Sequence, residues 1–183
     1  MADCNSYNCD SLGSYDSTLD NCSPIRKGGS SQIVLLACGQ TMADSSDEAE
    51  LDALILAGNA WPLLNVKVGL SVSGQDTIDP VTGCGTARVV NNNYTGTLFS
   101  AVVTANNTTF INKLIAGYVV GGMIIKICDT DGVDPMQIYI DEEIAFSGGL
   151  LLPETNSDII RYEVNFTFKS NSILTPAGNP YFN

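Results

Sequence analysis

Apolar residues in this chain fall into short runs separated by turn-forming residues, and the spacing within most runs is that of β-strands. Residues Ile33–Cys38 form a continuous apolar run bounded by turn residues, which predicts a buried strand. Apolar and polar positions alternate along Asn65–Ser73, Tyr94–Ala105 and Ile160–Lys169. Because successive side chains of a strand point to opposite faces, this alternation predicts three strands with one face buried.

The middle of the chain adds three further predicted strands. Met123–Cys128 and Met136–Asp141 flank an Asp- and Gly-rich turn, so they are predicted to form a hairpin. Ile144–Leu152 is predicted as a strand that a bulge or bend interrupts at Gly148-Gly149.

Two segments have helical spacing instead. Ser45 begins a capping-box pattern with Glu48, and it predicts a short helix from Asp47 to Ala57 that Gly58 ends and Trp61-Pro62 follows. Asn106-Asn107-Thr108 is the predicted cap of a second helix, Thr109–Ala116, which Gly117 closes. Its predicted inward face is Phe110, Ile111, Leu114 and Ile115.

Together these elements predict a mainly β fold of seven or eight strands, mostly antiparallel because short turns join them, with two short helices. Gln75–Gly85 is predicted as a loop and Asn91-Asn92-Asn93 as a turn. Residues 1–32 are polar and contain few large aliphatics, so we expect an N-terminal arm, either disordered or ordered on assembly. A folded domain is predicted over residues 33–169 and a C-terminal tail over 170–183.

Charge narrows the possible partners. The 183 residues contain 20 Asp and Glu against 8 Lys and Arg, and the net charge is −12. This balance argues against binding a nucleic-acid backbone, which needs a basic footprint. Only 15% of the residues are charged, which suggests that other subunits cover much of the surface, with a secreted β-protein as the alternative.

The cysteines do not predict a metal site. They stand at positions 4, 9, 22, 38, 84 and 128, no pair has CxxC spacing, and the chain has no histidine. The start of the chain lacks the basic and apolar regions of a signal peptide, and no apolar run is long enough to cross a bilayer. We therefore expect a reducing cytoplasm, free thiols and no membrane partner.

Four groups of residues resemble catalytic or ligand-binding sites, and each has a simpler structural interpretation. Asp129, Asp131 and Asp134 lack the spacing of a calcium loop and predict a turn. Asp141-Glu142-Glu143 is predicted to be a solvated strand end and not a glycosidase pair.

A catalytic cysteine needs a base or a cation nearby to form its thiolate, and for Cys84 the only candidate is Arg88, so a structural thiol is predicted. Gly28-Gly29 and Gly121-Gly122 lack the spacing of phosphate-binding loops. No catalytic, cofactor-binding or metal-binding residue is predicted, no cofactor is expected, and the protein is not expected to be an enzyme.

The order of these elements resembles one family. The long strand Tyr94–Ala105 leads into a short helix written Asn-Asn-Thr-Thr-Phe-Ile-Asn-Lys-Leu-Ile-Ala-Gly over 106–117, followed by a hairpin and a final amphipathic strand at 160–169. An arm containing Cys22-Ser-Pro-Ile-Arg-Lys-Gly-Gly precedes them. This order is similar to that of the tail tube (major tail) proteins of tailed bacteriophages over roughly residues 20–170. The first 22 residues and the 75–85 loop depart from it.

The resemblance implies two packed antiparallel sheets with flanking helices and extended terminal arms. It also implies six subunits that close their sheets into a ring, and rings that stack into a conduit for DNA. The expected partners are further copies of the chain, other virion tail or head proteins, and DNA that passes an acidic lumen without specific binding. The expected location is the virion, assembled in the host cytoplasm. The alternatives are a capsid decoration or head–tail connector protein, a monomeric ligand-binding β-sandwich, and a carboxylate-dependent hydrolase.

Overall fold

The structure is a computed structural model that describes residues 32–45, 47–64, 66–78, 88–101, 103–127, 136–152, 160–172, 174 and 177–178. Its elements in chain order are β1 (Gln32–Leu36), α1 (Glu48–Leu56), β2 (Ala60–Leu64), β3 (Val66–Ile78), β4 (Arg88–Ser100), α2 (Ala105–Ile115), β5 (Gly122–Ile127), β6 (Met136–Ile140), β7 (Ala145–Leu151), β8 (Arg161–Ser170) and β9 (Ala177–Gly178).

The strands form two antiparallel sheets. Sheet 1 has the order β2-β1-β5-β6-β9, and sheet 2 has the order β3-β4-β8-β7. Every pairing in both sheets is antiparallel. The prediction of a mainly β fold with two packed antiparallel sheets and two short helices is confirmed.

The main core lies between the two sheets. Side chains alternate between the two faces of a strand, so one face of each strand contributes to this core. In β8, for example, every second residue from Tyr162 to Ser170 is buried. Helix α2 adds its predicted face to this core through Phe110, Ile111 and Leu114. The ring of Trp61 meets those of Phe110 and Tyr118 edge to face, with centroids 6.3 and 5.9 Å apart.

A second, smaller core lies on the other face of sheet 1. Val34, Leu36 and Ile124 of that sheet pack there with Leu51 of α1 and with Met42. All five residues of β1 are buried because β1 is covered on both faces, which explains its continuous apolar run. The layer order is therefore α1, sheet 1, sheet 2.

The described residues form nine strands where seven or eight were predicted, and three segments differ from the prediction. Trp61-Pro62 lies inside β2, an edge strand, where proline is tolerated because the outward side of the strand needs no donor. The predicted turn at Asn91–Asn93 lies inside β4, and the first part of the predicted 75–85 loop, Gln75–Ile78, continues β3. Local propensity gave way here to cross-strand pairing, since Gln75 pairs with Asn92 and Asp76 with Asn91.

Both helix starts are also corrected. The N-cap of α1 is Asp47 and not Ser45, because its carboxylate accepts from the amides of Ala49 and Glu50. The N-cap of α2 is Thr104, whose hydroxyl accepts from the amide of Asn107 at 3.1 Å, so the helix begins at Ala105 and not at Thr109. The predicted stops are confirmed: Gly58 and Gly117 have φ values of +73° and +105°.

Cys38 contradicts the expectation of free thiols. It is disulfide-bonded. The other five cysteines, its partner among them, lie outside the described residues. Disulfides persist in oxidising surroundings, including virion surfaces, so this bond weakens the argument for a permanently reducing environment.

Candidate assembly surface

The two edges of sheet 1 are poorly suited to further strand pairing. One edge is β2, in which Pro62 lacks an amide hydrogen. The other is β9, which has only two residues. An edge strand that is short or contains proline offers few groups to another chain, so within the described residues both edges of sheet 1 are less suited to extension than a long regular strand.

Sheet 2 has longer edges. Strand β3 spans 13 residues and β7 spans 7, and within the described part of the chain each pairs with a strand on one side only. A register shift interrupts β3 between Val72 and Gly74, so its regular part is Val66–Val72. Ser71 pairs with Thr95, Thr95 with Thr167, and Thr167 with Ala145. The regular part of β3 therefore lies at the same height in the sheet as β7. The two edges thus present regular segments of matching length.

Exposed leucines gather where β7 ends. Leu150, Leu151 and Leu152 are 44%, 42% and 65% exposed, and Ile160 nearby in sequence is 47% exposed. Single exposed apolar residues are common, but three consecutive leucines at one strand end leave apolar surface on both faces of that end.

The glycine pair of β7 lets neighbouring elements approach closely. Gly148 has a φ of +117°, and a Cβ there would overlap the backbone carbonyl of Glu163. At Gly149 a Cβ would lie 3.8 Å from Cδ1 of Ile115, so α2 packs beside this part of β7. The bulge or bend that the sequence predicted at Gly148-Gly149 does not interrupt the pairing, because β7 keeps one continuous register with β8 from Ala145 to Leu151.

The face of sheet 2 that points away from sheet 1 carries small polar residues in register. One row across the four strands is Ser71, Thr95, Thr167 and Ala145, and the next is Gly69, Thr97, Asn165 and Ser147. The Thr97 hydroxyl donates to Oδ1 of Asn165 at 2.9 Å. We call these eight residues the hydroxyl rows. The six of them on β3, β4 and β8 line a shallow groove of about 610 Å³ together with Leu70, Gly96, Phe99 and Phe166.

Charged side chains surround the hydroxyl rows, and Lys169 and Arg161 each lie near a carboxylate. Nζ of Lys169 lies 2.8 Å from Oδ2 of Asp76, and Nδ2 of Asn93 donates to Oδ1 of Asp76 at 3.0 Å. The hydrogen bond from Lys169, followed by that from Asn93, lowers the pKa of the Asp76 carboxyl from its ordinary value. The Arg161 guanidinium lies 5.3 Å from the Phe99 ring centroid and 3.8 Å from Glu163.

The opposite side of the molecule, around α1, is acidic. Asp47, Glu48, Glu50 and Asp52 lie on or beside this helix. Both carboxylate oxygens of Glu50 reach back to the amides of Ala43 and Asp44, at 3.0 and 3.3 Å. The layer order therefore separates an acidic helical side from the outer face of sheet 2.

Of the acidic triplet predicted as a solvated strand end, Asp141 lies near this side, whereas Glu142 and Glu143 are half-buried. Asp141 is exposed, and its Oδ1 accepts from the Tyr139 hydroxyl at 3.4 Å. That hydroxyl accepts in turn from the amide of Met42 at 3.0 Å. Burial raises the pKa of Tyr139, and the neighbouring Asp141 carboxylate adds to the shift.

The remaining sequence candidates do not form a site in the described structure. Asp129, Asp131, Asp134, Cys84 and Gly28-Gly29 lie outside the described residues, as does most of the 75–85 loop. Gly121 and Gly122 are packed against backbone carbonyls, with a Cβ position 2.6 Å from the Ala37 oxygen and 2.9 Å from the Ile140 oxygen. No three metal-ligating side chains come together among the residues described.

Sequence reasoning missed the hydroxyl rows, although a signal was present. Thr95, Thr97, Asn165 and Thr167 occupy the polar positions of two alternating segments. Only the pairing of β4 with β8 places them side by side, and that pairing joins residues about 70 positions apart in the chain.

Within the described ranges, none of the helices is long and apolar enough to cross a membrane. No protein-family model, curated protein or solved structure matches the chain.

Proposed function

We propose that the protein is a virion structural protein, a subunit that closes with identical copies into rings and stacks into a tail tube through which phage DNA passes. The proposal rests on the element order of the sequence and on one structural observation. Sheet 2 has two long edges with regular segments of equal length, whereas both edges of sheet 1 are blunted. The subunit is expected to assemble in the host cytoplasm and to contact other tail or head proteins.

The strand directions favour closure through sheet 2. Its four strands alternate in direction, so β7 runs opposite to β3. When copies are related by rotation about a ring axis, β7 of one copy meets β3 of the next in antiparallel orientation. The junction would then continue the same hydrogen-bonding pattern and pair the regular segments of both edges. Closing a barrel is the arrangement that leaves no strand edge to aggregate.

The exposed leucines at the end of β7 provide the test. Leu151→Lys places a charge beside the proposed junction, and we expect it to abolish rings and tubes in negative-stain electron microscopy. Leu56→Lys is the matched control, because Leu56 is 89% exposed at the end of α1, far from both edges of sheet 2 in the layer order. Tubes from the control and none from Leu151→Lys support the proposal. A wild-type protein that stays monomeric at high concentration refutes it.

The groove on sheet 2 favours a second candidate, a monomeric β-sandwich that binds a ligand. Hydroxyl, amide and glycine residues line the groove together with Leu70, Phe99 and Phe166, a lining that could hold an uncharged molecule with both polar and apolar parts. The same microscopy separates the two functions, since this candidate gives small globular particles at every concentration. Rings that never stack would instead indicate a capsid decoration or head–tail connector protein.

A further inference from the structure

We infer that the hydroxyl rows form the wall of the conduit, and that this wall avoids holding DNA by being neutral and hydroxyl-lined and not by being acidic. The inference rests on the proposed function. It concerns which face of the subunit meets the polyanion and what that face is made of.

The layer order determines which face points inward. Sheet 1 and α1 both lie on one side of sheet 2. In a closed barrel the outer side has the larger circumference, so the two bulky layers fit only there. The face that carries the hydroxyl rows is then left to line the interior.

The composition of that face differs from the composition of the chain. The two hydroxyl rows contain no charged residue and no side chain larger than asparagine. On the described part of this face the charged side chains are three cations, Lys67, Arg161 and Lys169, and two carboxylates, Asp76 and Glu163. Among the described residues, the acidic side chains on and beside α1 lie on the other side of the molecule.

A neutral wall suits the passage of a phosphate polyanion. Fixed cations would bind the backbone and release its counterions, which slows transit. Fixed anions would repel the backbone and raise the cost of filling the tube. Serine, threonine and asparagine side chains that already bond to one another, such as Thr97 and Asn165, offer neither effect. The acidic lumen expected from the family resemblance is replaced by this inference.

The first test locates the face in assembled tubes. Thr167→Cys and Ala53→Cys both place a thiol on an exposed position, one in the hydroxyl rows and one on α1. A small maleimide should label both variants in tubes, whereas a polymer-linked maleimide too large to enter should label only Ala53→Cys. Wild-type tubes provide the background of the native cysteines. Equal labelling of both variants by the bulky reagent overturns the inference while leaving the tubes, and so the proposed function, intact.

The second test probes the charge of the wall with short double-stranded DNA at low ionic strength. Wild-type tubes should retain almost none after nuclease digestion. Thr167→Lys adds one cation per subunit to the wall, and about tenfold more protected duplex is expected. Ala53→Lys adds the same charge outside and should protect none.

Two results would overturn the neutral wall. One is wild-type tubes that already retain duplex. The other is Thr167→Lys tubes that retain no more than wild-type tubes, which would mean that an acidic field outweighs the added lysines. If Thr167→Lys prevents assembly, Ser147→Lys tests the neighbouring row in the same way.

Discussion

Gly96 shows how a single missing side chain shapes the core. The Phe166 ring occupies the space where a Cβ of residue 96 would stand, and the Gly69 carbonyl oxygen is 2.5 Å from that position. Phe166 is fully buried and pairs with Gly96 across β4 and β8. The aromatic ring thus covers a glycine that would otherwise leave the strand without a packing partner.

We therefore expect Gly96→Ala to lower the free energy of unfolding by about 1–3 kcal/mol, because the ring must leave its position. Gly69→Ala is the matched control, since a Cβ at Gly69 meets no atom within 4 Å. Urea denaturation of both variants measures the difference. Equal stability of the two variants would contradict this account of the Phe166 packing.

We expect the folded protein to lose stability in alkaline solution because of Tyr139. Its pKa is raised in the folded protein, so its neutral form stabilises the fold below the unfolded value of about 10, and this contribution is lost as the pH rises through the folded pKa. Tyr139→Phe should cost about 1 kcal/mol at neutral pH, through the lost bonds to Met42 and Asp141.

The measurement is the difference in unfolding free energy between wild type and Tyr139→Phe as a function of pH. The difference should shrink from pH 7 towards values above 10. A constant difference over that range would show that ionisation of Tyr139 is not linked to folding.

At the scale of elements, the cap of α1 can be tested. Asp47 satisfies two amides of the first turn, and Glu50 ties the same turn to residues 43 and 44. Asp47→Ala should lower the unfolding free energy by about 1 kcal/mol. Asp52→Ala removes the same charge from an exposed position past the cap and should change it by less than about 0.5 kcal/mol. Similar losses in both variants would assign the effect to charge and not to capping.

Element type was more predictable from the sequence than element boundaries. The alternation of apolar and polar residues in Ile160–Lys169 was enough to predict a strand, and the apolar stripe that ends at Gly117 was enough to predict a helix. Each pattern reflects the burial of one face of a single element. Boundaries failed at Asn91–Asn93 and at Thr104, where pairing with β3 and a side-chain cap decided the local conformation.

The assembly surface was less predictable still. The matching of β3 to β7 and the hydroxyl rows arise from strand order, which joins residues far apart in the chain. No local pattern in the sequence encodes that order.

For the whole molecule, charge should govern assembly. Each copy has a net charge of −12, and like-charged copies repel before short-range strand pairing can act. Raising the salt from about 0.05 to about 0.5 M shortens the range of that repulsion, so the fraction in tubes should rise several-fold. Sedimentation after incubation at each salt concentration measures it. Tubes that dissolve as salt is added would indicate that ion pairs, and not strand pairing, hold the copies together.

The unequal lengths of β3 and β7 affect how association ends. With 13 residues facing 7, the segment beyond the shift at Val72 finds no counterpart in a neighbour's β7. If closure follows the proposed junction, every completed circle therefore still displays a protruding margin of backbone donors and acceptors. A further circle can add to these groups, so pairing within a circle does not stop growth. The length of the polymer must then be limited by some other factor.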